Sequence, residues 1–187
     1  VIKNSISELK NKYKTTTGDY VLYFGRLSQE KGVESLIKAS QATPDINYKI
    51  IGEGPLGESL QIEKNDNVES LGFKKGRELQ EIINKARLVI VPSVWYENAP
   101  LSILEAMQLG KVVLASDIGG IPEILPSDLL FKSGDIVDMA KQIVCWYKMD
   151  NVKLERKGKE LENLIKKKYN SDIYIKELLS VYGRVQK

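Results

Sequence analysis

The chain has no histidine and one cysteine in 187 residues. Without histidine it cannot supply a histidine general base, a Ser-His-Asp or Cys-His nucleophile, or a histidine-containing zinc site. Its chemistry must therefore use carboxylates, cations, hydroxyls and backbone amides. Cys145 has no partner for an internal disulfide, and its neighbours Ile143, Val144 and Trp146 predict a buried thiol in a reducing compartment. No secretory apolar segment is present, and no apolar run approaches the ~20 residues of a membrane span. A cytoplasmic location is the resulting expectation. The polar start at Val1, without Met, further suggests a piece of a longer polypeptide.

Charge of one sign is scarce as well. Lys and Arg number 28 against 25 Asp and Glu, a net charge of +3, too small to imply nucleic-acid binding. The excess is local. Between Val152 and Tyr169, Lys153, Arg156, Lys157, Lys159, Lys166, Lys167 and Lys168 face Glu155, Glu160 and Glu162, so the rest of the chain is close to neutral. This stretch places Leu154, Leu161, Leu164 and Ile165 on one helical face. It reads either as a solvated helix packed on the domain or as peripheral contact with an anionic membrane surface at the inner face of the membrane.

What is present is an ordinary globular composition, 42% hydrophobic and 28% charged, with 14 Gly and 6 Pro. One domain of this size buries ~70% of its unfolded surface and needs no staple. Short apolar runs alternate with longer amphipathic stretches: 20–24, 48–51, 68–71, 88–91, 111–115 and 129–131. Runs of this kind are strands buried on both faces, and the segments between them are long enough for crossover helices. The fold class expected is α/β, a doubly wound, mostly parallel Rossmann-like sheet flanked by helices.

The helical stretches carry their own signals. Val33, Leu36 and Ile37 share one face, as do Leu79, Ile82 and Ile83, and Leu101, Leu104 and Leu109. Pro100 suits a first helical turn and Gly110 a left-handed C-terminal cap. After Asp135 helices are expected at about 135–149, 152–169 and 172–185, the last opened by Asn170-Ser171-Asp172. Its stripe of Ile175, Leu178, Leu179, Tyr182 and Val185 either packs on its own domain or serves another.

Two glycine-rich loops follow strands. Residues Gly52-Glu53-Gly54-Pro55-Leu56-Gly57 match G-x-G-x-x-G, but Glu69 comes too early for the ribose-binding acid of a dinucleotide site. The same segment has Glu58 where a phosphate-binding P-loop needs lysine. Three readings stay open: a turn bordering a nucleotide, a purely structural turn, or a dinucleotide site. In the other loop, Gly25 and Gly32 flank Arg26 and Lys31, two cations at the carboxyl edge of the sheet, where open α/β folds bind ligands. They suit a diphosphate, or they belong to a solvated loop.

Glu97 and Glu105 lie eight residues apart, one in the loop after the fourth strand and one about a turn into the helix begun at Pro100 or Leu101. The N–H groups of Ala99, Leu101 and Ser102 favour an anion at that helix start. With phosphates on those amides, Glu105 could accept from ribose hydroxyls and Glu97 from those of a sugar beyond. A capping residue beside a solvated one gives the same spacing.

The ordered set of Phe24-Gly25-Arg26-Leu27-x-x-Glu30-Lys31-Gly32, Gly52-Glu53-Gly54-Pro55, Leu71-Gly72-Phe73, Pro92-Ser93, Glu97-x7-Glu105-Ala106-Met107 and 110–123 resembles the C-terminal half of a group 1 glycosyltransferase, family 4, with the GT-B fold. The likeness covers about residues 17–185. It implies a lead-in at 1–16, a Rossmann-like donor-binding domain at 17–170, and a C-terminal helix at 171–187 that crosses to an N-terminal domain of the same polypeptide. It also implies that the ligand is a nucleotide-diphosphate sugar, a UDP- or GDP-sugar, and that no further cofactor is needed.

Carried over residue by residue, the resemblance puts Arg26 and Lys31 on the donor diphosphate, with Gly25 and Gly54 near them. Glu105 falls on the ribose and Glu97 on the donor sugar. The 98–102 backbone (Asn98, Ala99, Pro100, Leu101, Ser102) lies near phosphate and sugar, and Phe73 and Lys74 by the base. Glu97, Arg26 and Lys31 are the implied catalytic set. Family members are retaining and generally need no metal; no Asp-x-Asp occurs here, and Arg26 and Lys31 could neutralise the leaving diphosphate. Asn98-Ala99 departs from the Gly-Phe that often follows the first glutamate. The resemblance further implies that the catalytic-site histidine belongs to the N-terminal domain, so the chain alone should not transfer sugar to its glycan or lipid-linked acceptor. Two other readings remain: a non-catalytic α/β interaction module, against which the intact Arg26, Lys31, Glu97 and Glu105 argue, and an NAD-binding domain.

Overall fold

A computed structural model describes residues 17–57, 60, 65–169, 175–176 and 178–182. Six strands, β1 (Tyr20–Phe24), β2 (Asn47–Ile51), β3 (Val68–Ser70), β4 (Leu88–Val91), β5 (Val113–Ser116) and β6 (Leu130–Phe131), form one sheet in the order β3-β2-β1-β4-β5-β6. Every pairing is parallel. This is the expected doubly wound α/β sheet, and all six expected strands are present to within two residues at either end. β1, β4 and β5 are buried along their whole length, as their uninterrupted apolar runs require. The edge strand β3 is largely exposed.

The crossover segments are α1 (Val33–Gln41), α2 (Gly76–Lys85), α3 (Leu101–Gln108) and a short α4 (Ile121–Ile124), followed by α5 (Ile136–Tyr147) and α6 (Asn151–Lys168). Right-handed crossovers put α1, whose strands run one way from β1, and α3, whose strands run the other way from β4, on opposite faces. α5 packs with α1, and α6 with α3. Asp135 and Asp150 cap α5 and α6 by accepting from N–H groups of their first turns. α3 stops as expected: Gly110 adopts φ 68°, its N–H donates to the Met107 carbonyl and that of Lys111 to the Ala106 carbonyl. Residues 175–176 and 178–182 are helical too. The lead-in at 1–16 and the cluster at 170–172 lie outside the described residues, as does Val185 of the C-terminal stripe.

Two sequence expectations are corrected. Cys145 is exposed, not buried: along α5 the inward positions fall on Met139, Ile143 and Trp146, and the apolar neighbours of Cys145 point the other way from it. Leu101 is 55% exposed, while Leu104 and Leu109 are buried. It occupies the first turn of α3, at the open edge of the sheet, before the helix reaches its packing partners.

α6 meets the turn that follows α3 at a position where it has no side chain. A Cβ on Gly158 would lie 1.9 Å from the Gly110 carbonyl oxygen. At the opposite edge of the sheet from the strand ends, the buried Lys111 ammonium donates to the Ala86 carbonyl at 3.0 Å. Burial lowers its pKa to about 8, against which the Glu155 charge acts weakly. Nearby, Arg87 ties down the α5–α6 connection through the carbonyls of Tyr147 and Met149.

Gly158→Ala should destabilise the fold by about 1–3 kcal/mol, although alanine is the better helix former, because backbone cannot yield as a side chain does; equilibrium denaturation measures this. Lys111 holds its proton less tightly folded than unfolded, so its penalty is complete below about pH 8 and is relieved as pH rises toward 10.5. From pH 8 to 10 the stability of the native chain should therefore gain about 2–3 kcal/mol relative to Lys111→Met. Above pH 10 the raised pKa values of Tyr20 and Tyr48 act in the opposite sense.

Candidate functional site

The sheet order places β1 beside β4, with the chain leaving them for opposite faces, so their carboxyl ends border a crevice. Into it come the loops that carry the charged residues singled out above. The loop after β1 turns through a 3₁₀ segment, Gln29–Lys31, before α1 begins. Tyr23, buried in β1, reaches forward and donates its hydroxyl to the Arg26 carbonyl at 2.6 Å. Burial and the Glu97 and Glu30 charges hold that phenol far above its ordinary pKa, so it stays a donor. Ser28 donates to Glu30 at 2.6 Å and keeps the Glu30 carboxyl below its usual range.

Glycines let these loops touch backbone to backbone. A Cβ on Gly52, which has φ 144°, would fall 1.8 Å from the Gly25 carbonyl oxygen, and one on Gly54 2.3 Å from that of Leu27. Leu27 donates to the Glu53 carbonyl and Leu56 to that of Leu27. The G-x-G segment therefore packs backbone to backbone against the Arg26 loop. Beyond it, Gly52 donates to the Gly72 carbonyl, which brings the exposed Phe73 to the same edge. Lys74, next in the chain, pairs with Glu78 at 2.7 Å.

From β4 the chain runs through Pro92 and Ser93 to Glu97. The Val94 N–H donates to the Glu30 carbonyl, joining the two loops. Lys31 forms an ion pair and hydrogen bond with Glu97, and Ser93 donates to the same carboxylate oxygen at 3.1 Å. Arg26 is exposed and makes no ion pair among the described residues.

Behind Glu97 sits the turn after β5. Gly120 donates to the Glu97 carbonyl at 2.7 Å, and a Cβ on Gly119 would meet the same oxygen at 2.4 Å. Asn98 is exposed, Ala99 half-buried and Pro100 buried. No side chain caps the start of α3, where Leu101 and Ser102 have no intrahelical acceptor for their N–H groups. Glu105, one turn in, is half-buried, and burial raises its pKa above the ordinary carboxyl value. Among the described residues no donor reaches it.

The structure thus joins Lys31 to Glu97 directly and sets Gly25, Arg26 and Gly54 around the same crevice. Lys74 is held in an ion pair with Glu78. Sequence reasoning gave no role to Tyr23, Ser93, Gly119 or Gly120, which hold the site from behind. Ser93, Gly119 and Gly120 lie in the motifs that carry the resemblance; Tyr23 was signalled only by its position near the end of β1. No group of three or more carboxylate or cysteine side chains able to hold a metal occurs among the described residues.

Comparison with known proteins gives the site its context. The chain is 26% identical over 197 residues to the alpha-D-kanosaminyltransferase of Streptomyces kanamyceticus, covering 96% of this chain and 49% of that enzyme. It is 32% identical over 130 residues to the sulfoquinovosyl transferase SQD2 of Arabidopsis thaliana, covering 66% and 25%. The crystal structure of Anabaena Alr3699/HepE in complex with UDP and glucose superposes with a TM-score of 0.79 at 23% identity, over 89% of this chain and 48% of that one. The chain spans about half, or less, of the length of each. The family model for glycosyl transferases group 1 matches residues 5–171, and the chain belongs to that family.

Proposed function

We propose that the chain is the donor-binding half of a retaining, metal-independent glycosyltransferase that takes a nucleotide-diphosphate sugar, UDP- or GDP-linked, and serves a glycan or lipid-linked acceptor. The observation that carries this reading is the meeting of Lys31, Glu97 and the exposed Arg26 at the β1–β4 crevice, beside the uncapped start of α3. The neighbour solved with UDP and glucose supports it.

In this reading the diphosphate lies on the N–H groups of Leu101 and Ser102 and draws Arg26 and Lys31 to it. Lys31 leaves Glu97, whose carboxylate then accepts from hydroxyls of the donor sugar. Glu105 accepts from the ribose hydroxyls, and Phe73 stacks on the base. As the sugar C1–O bond breaks, its electron pair goes to the phosphate oxygen, where the two cations balance the charge without a metal. The acceptor hydroxyl oxygen then bonds C1 on the face the diphosphate left, and its proton passes to the departing phosphate oxygen.

The N-terminal domain of the same polypeptide supplies the rest of the cleft, including a histidine. Ile175, Leu179 and Tyr182, all exposed here, form the face that docks on it. The isolated chain therefore binds nucleotide and does not transfer sugar. A peripheral membrane position draws on less. Of the basic residues in α6, Lys153, Arg156, Lys157, Lys159 and Lys166 are ion-paired, leaving Lys167 and Lys168. A cytoplasmic location completes the proposal.

Thermal unfolding with UDP, GDP, ADP and NAD tests it. One nucleoside diphosphate should raise Tm by ~5–10 °C at a hundredfold excess over Kd, with NAD inert. Arg26→Ala should weaken that binding by about tenfold or more. Stabilisation by NAD alone, or by none of the four, would refute the assignment.

Glu105 yields a second test. Its raised pKa means that the folded state resists ionising it, so its contribution to stability falls as pH rises from 4.5 through the folded pKa. Glu105→Gln should be as stable as the native chain at pH 7, or more so, yet bind nucleotide ~10–100-fold more weakly. Ligand hydroxyls need the carboxylate form, so native affinity should rise with pH over the same window more than that of Glu105→Gln. Isothermal titration at several pH values reads the difference.

A further inference from the structure

Trp95 and Tyr96 precede Glu97 and are 69% and 77% exposed. Neither makes a hydrogen bond, ring contact or ion pair among the described residues. Each would bring roughly 150–250 Å² of mostly apolar surface to a contact, and here most of that surface is open. The other tryptophan, Trp146, shows what the fold does with one it uses: it is 8% exposed and donates to the Asp128 carbonyl.

The segment bearing the pair is fixed on both sides. Val94 is bonded to the Glu30 carbonyl, the Ser93 carbonyl accepts from Ser133, and the Glu97 carbonyl accepts from Gly120. Two aromatic rings are thus held out to solvent by a braced loop, next to a carboxylate. A rigid aromatic surface costs little entropy to bind against, and its neighbour is an acceptor of hydroxyl hydrogens. A pyranose offers the matching surfaces: a face of C–H groups for an aromatic ring and equatorial hydroxyls for a carboxylate.

We infer that Trp95 and Tyr96 form a stacking platform for a pyranose ring of the acceptor glycan. This rests on the proposed function for its choice between acceptor and donor. In that proposed arrangement phosphate lies at the α3 start and the donor sugar at Glu97, which leaves the aromatic pair, on the other side of Glu97 in the chain, for the acceptor. The platform orients the acceptor; it takes no part in bond making.

Saturation-transfer NMR on the chain with methyl α-glucoside, methyl α-galactoside and methyl α-mannoside tests the inference, since it detects millimolar binding. At least one pyranoside should receive saturation through its C–H protons. Trp95→Ala and Tyr96→Ala should each weaken that binding by about tenfold. Trp95→Phe should recover part of it, and the nucleotide-induced thermal shift should survive in all three variants. The platform is refuted if no pyranoside binds, or if saturation transfer is equal in native and variant chains. It is refuted as an acceptor site if the variants lose UDP-glucose or GDP-mannose binding but keep that of UDP or GDP, because the ring would then belong to the donor. Binding to phosphatidylglycerol vesicles through Trp95, with no pyranoside bound, would make it a membrane contact and overturn it too. If instead no nucleotide stabilises the native chain while pyranosides still bind through Trp95, the donor-binding reading fails and the stacking platform stands.

Discussion

Everything at the site depends on the pairing of β1 with β4. Val21 opposite Leu88 and Leu22 opposite Val89 are wholly buried, so this seam lies in the driest part of the molecule and cannot slip without exposing apolar side chains. Because β1 continues to β2 on one side and β4 to β5 on the other, the loops that leave the seam diverge above it. The crevice between them is a product of strand order. Lys31 and Glu97, 66 residues apart in the chain, meet because their strands are neighbours.

The loops above the seam are held by backbone more than by side chains. Gly52 and Gly54 let the second loop close on the first, and Gly119 and Gly120 let the turn after β5 close on Glu97. Side-chain contacts of this kind would leave room to move; backbone contacts at van der Waals limits do not. Tyr23 and Ser93 complete the brace from within the sheet. A charged site on loops acquires the precision of one on strands.

That rigid frame carries features that do nothing for stability. Among the described residues Glu105 is half-buried without a donor and Arg26 is exposed without an ion pair, and Trp95 and Tyr96 stand in water. Each is a local departure from what folding alone would select, and they gather at one edge of the sheet. Lys111, the other group held at a cost, lies at the opposite edge and is explained by packing: its ammonium ties the turn before β5 to the one before β4. The burial of Glu105 and the exposure of the two rings have no such structural return, and a ligand with hydroxyls and ring faces would relieve them.

Much of this was legible in the sequence, because strand burial and helix capping are local. Uninterrupted apolar runs such as Leu88–Val91 declare a strand covered on both faces, and Gly110 after Leu109 declares a helix end. The absence of histidine and the cations of the first loop likewise needed no coordinates. Facing direction was less legible where apolar residues lie side by side. Cys145 among Ile143, Val144 and Trp146 reads as core, and only the actual phase of α5 turns it outward. Residue types and element order were determined by the sequence, since periodicity and turn chemistry act over a few residues. The Lys31–Glu97 pair, the brace of Gly119 and Gly120 and the exposure of Trp95 and Tyr96 were decided by tertiary structure, because each depends on which strands become neighbours, and that is settled by burial over the whole chain.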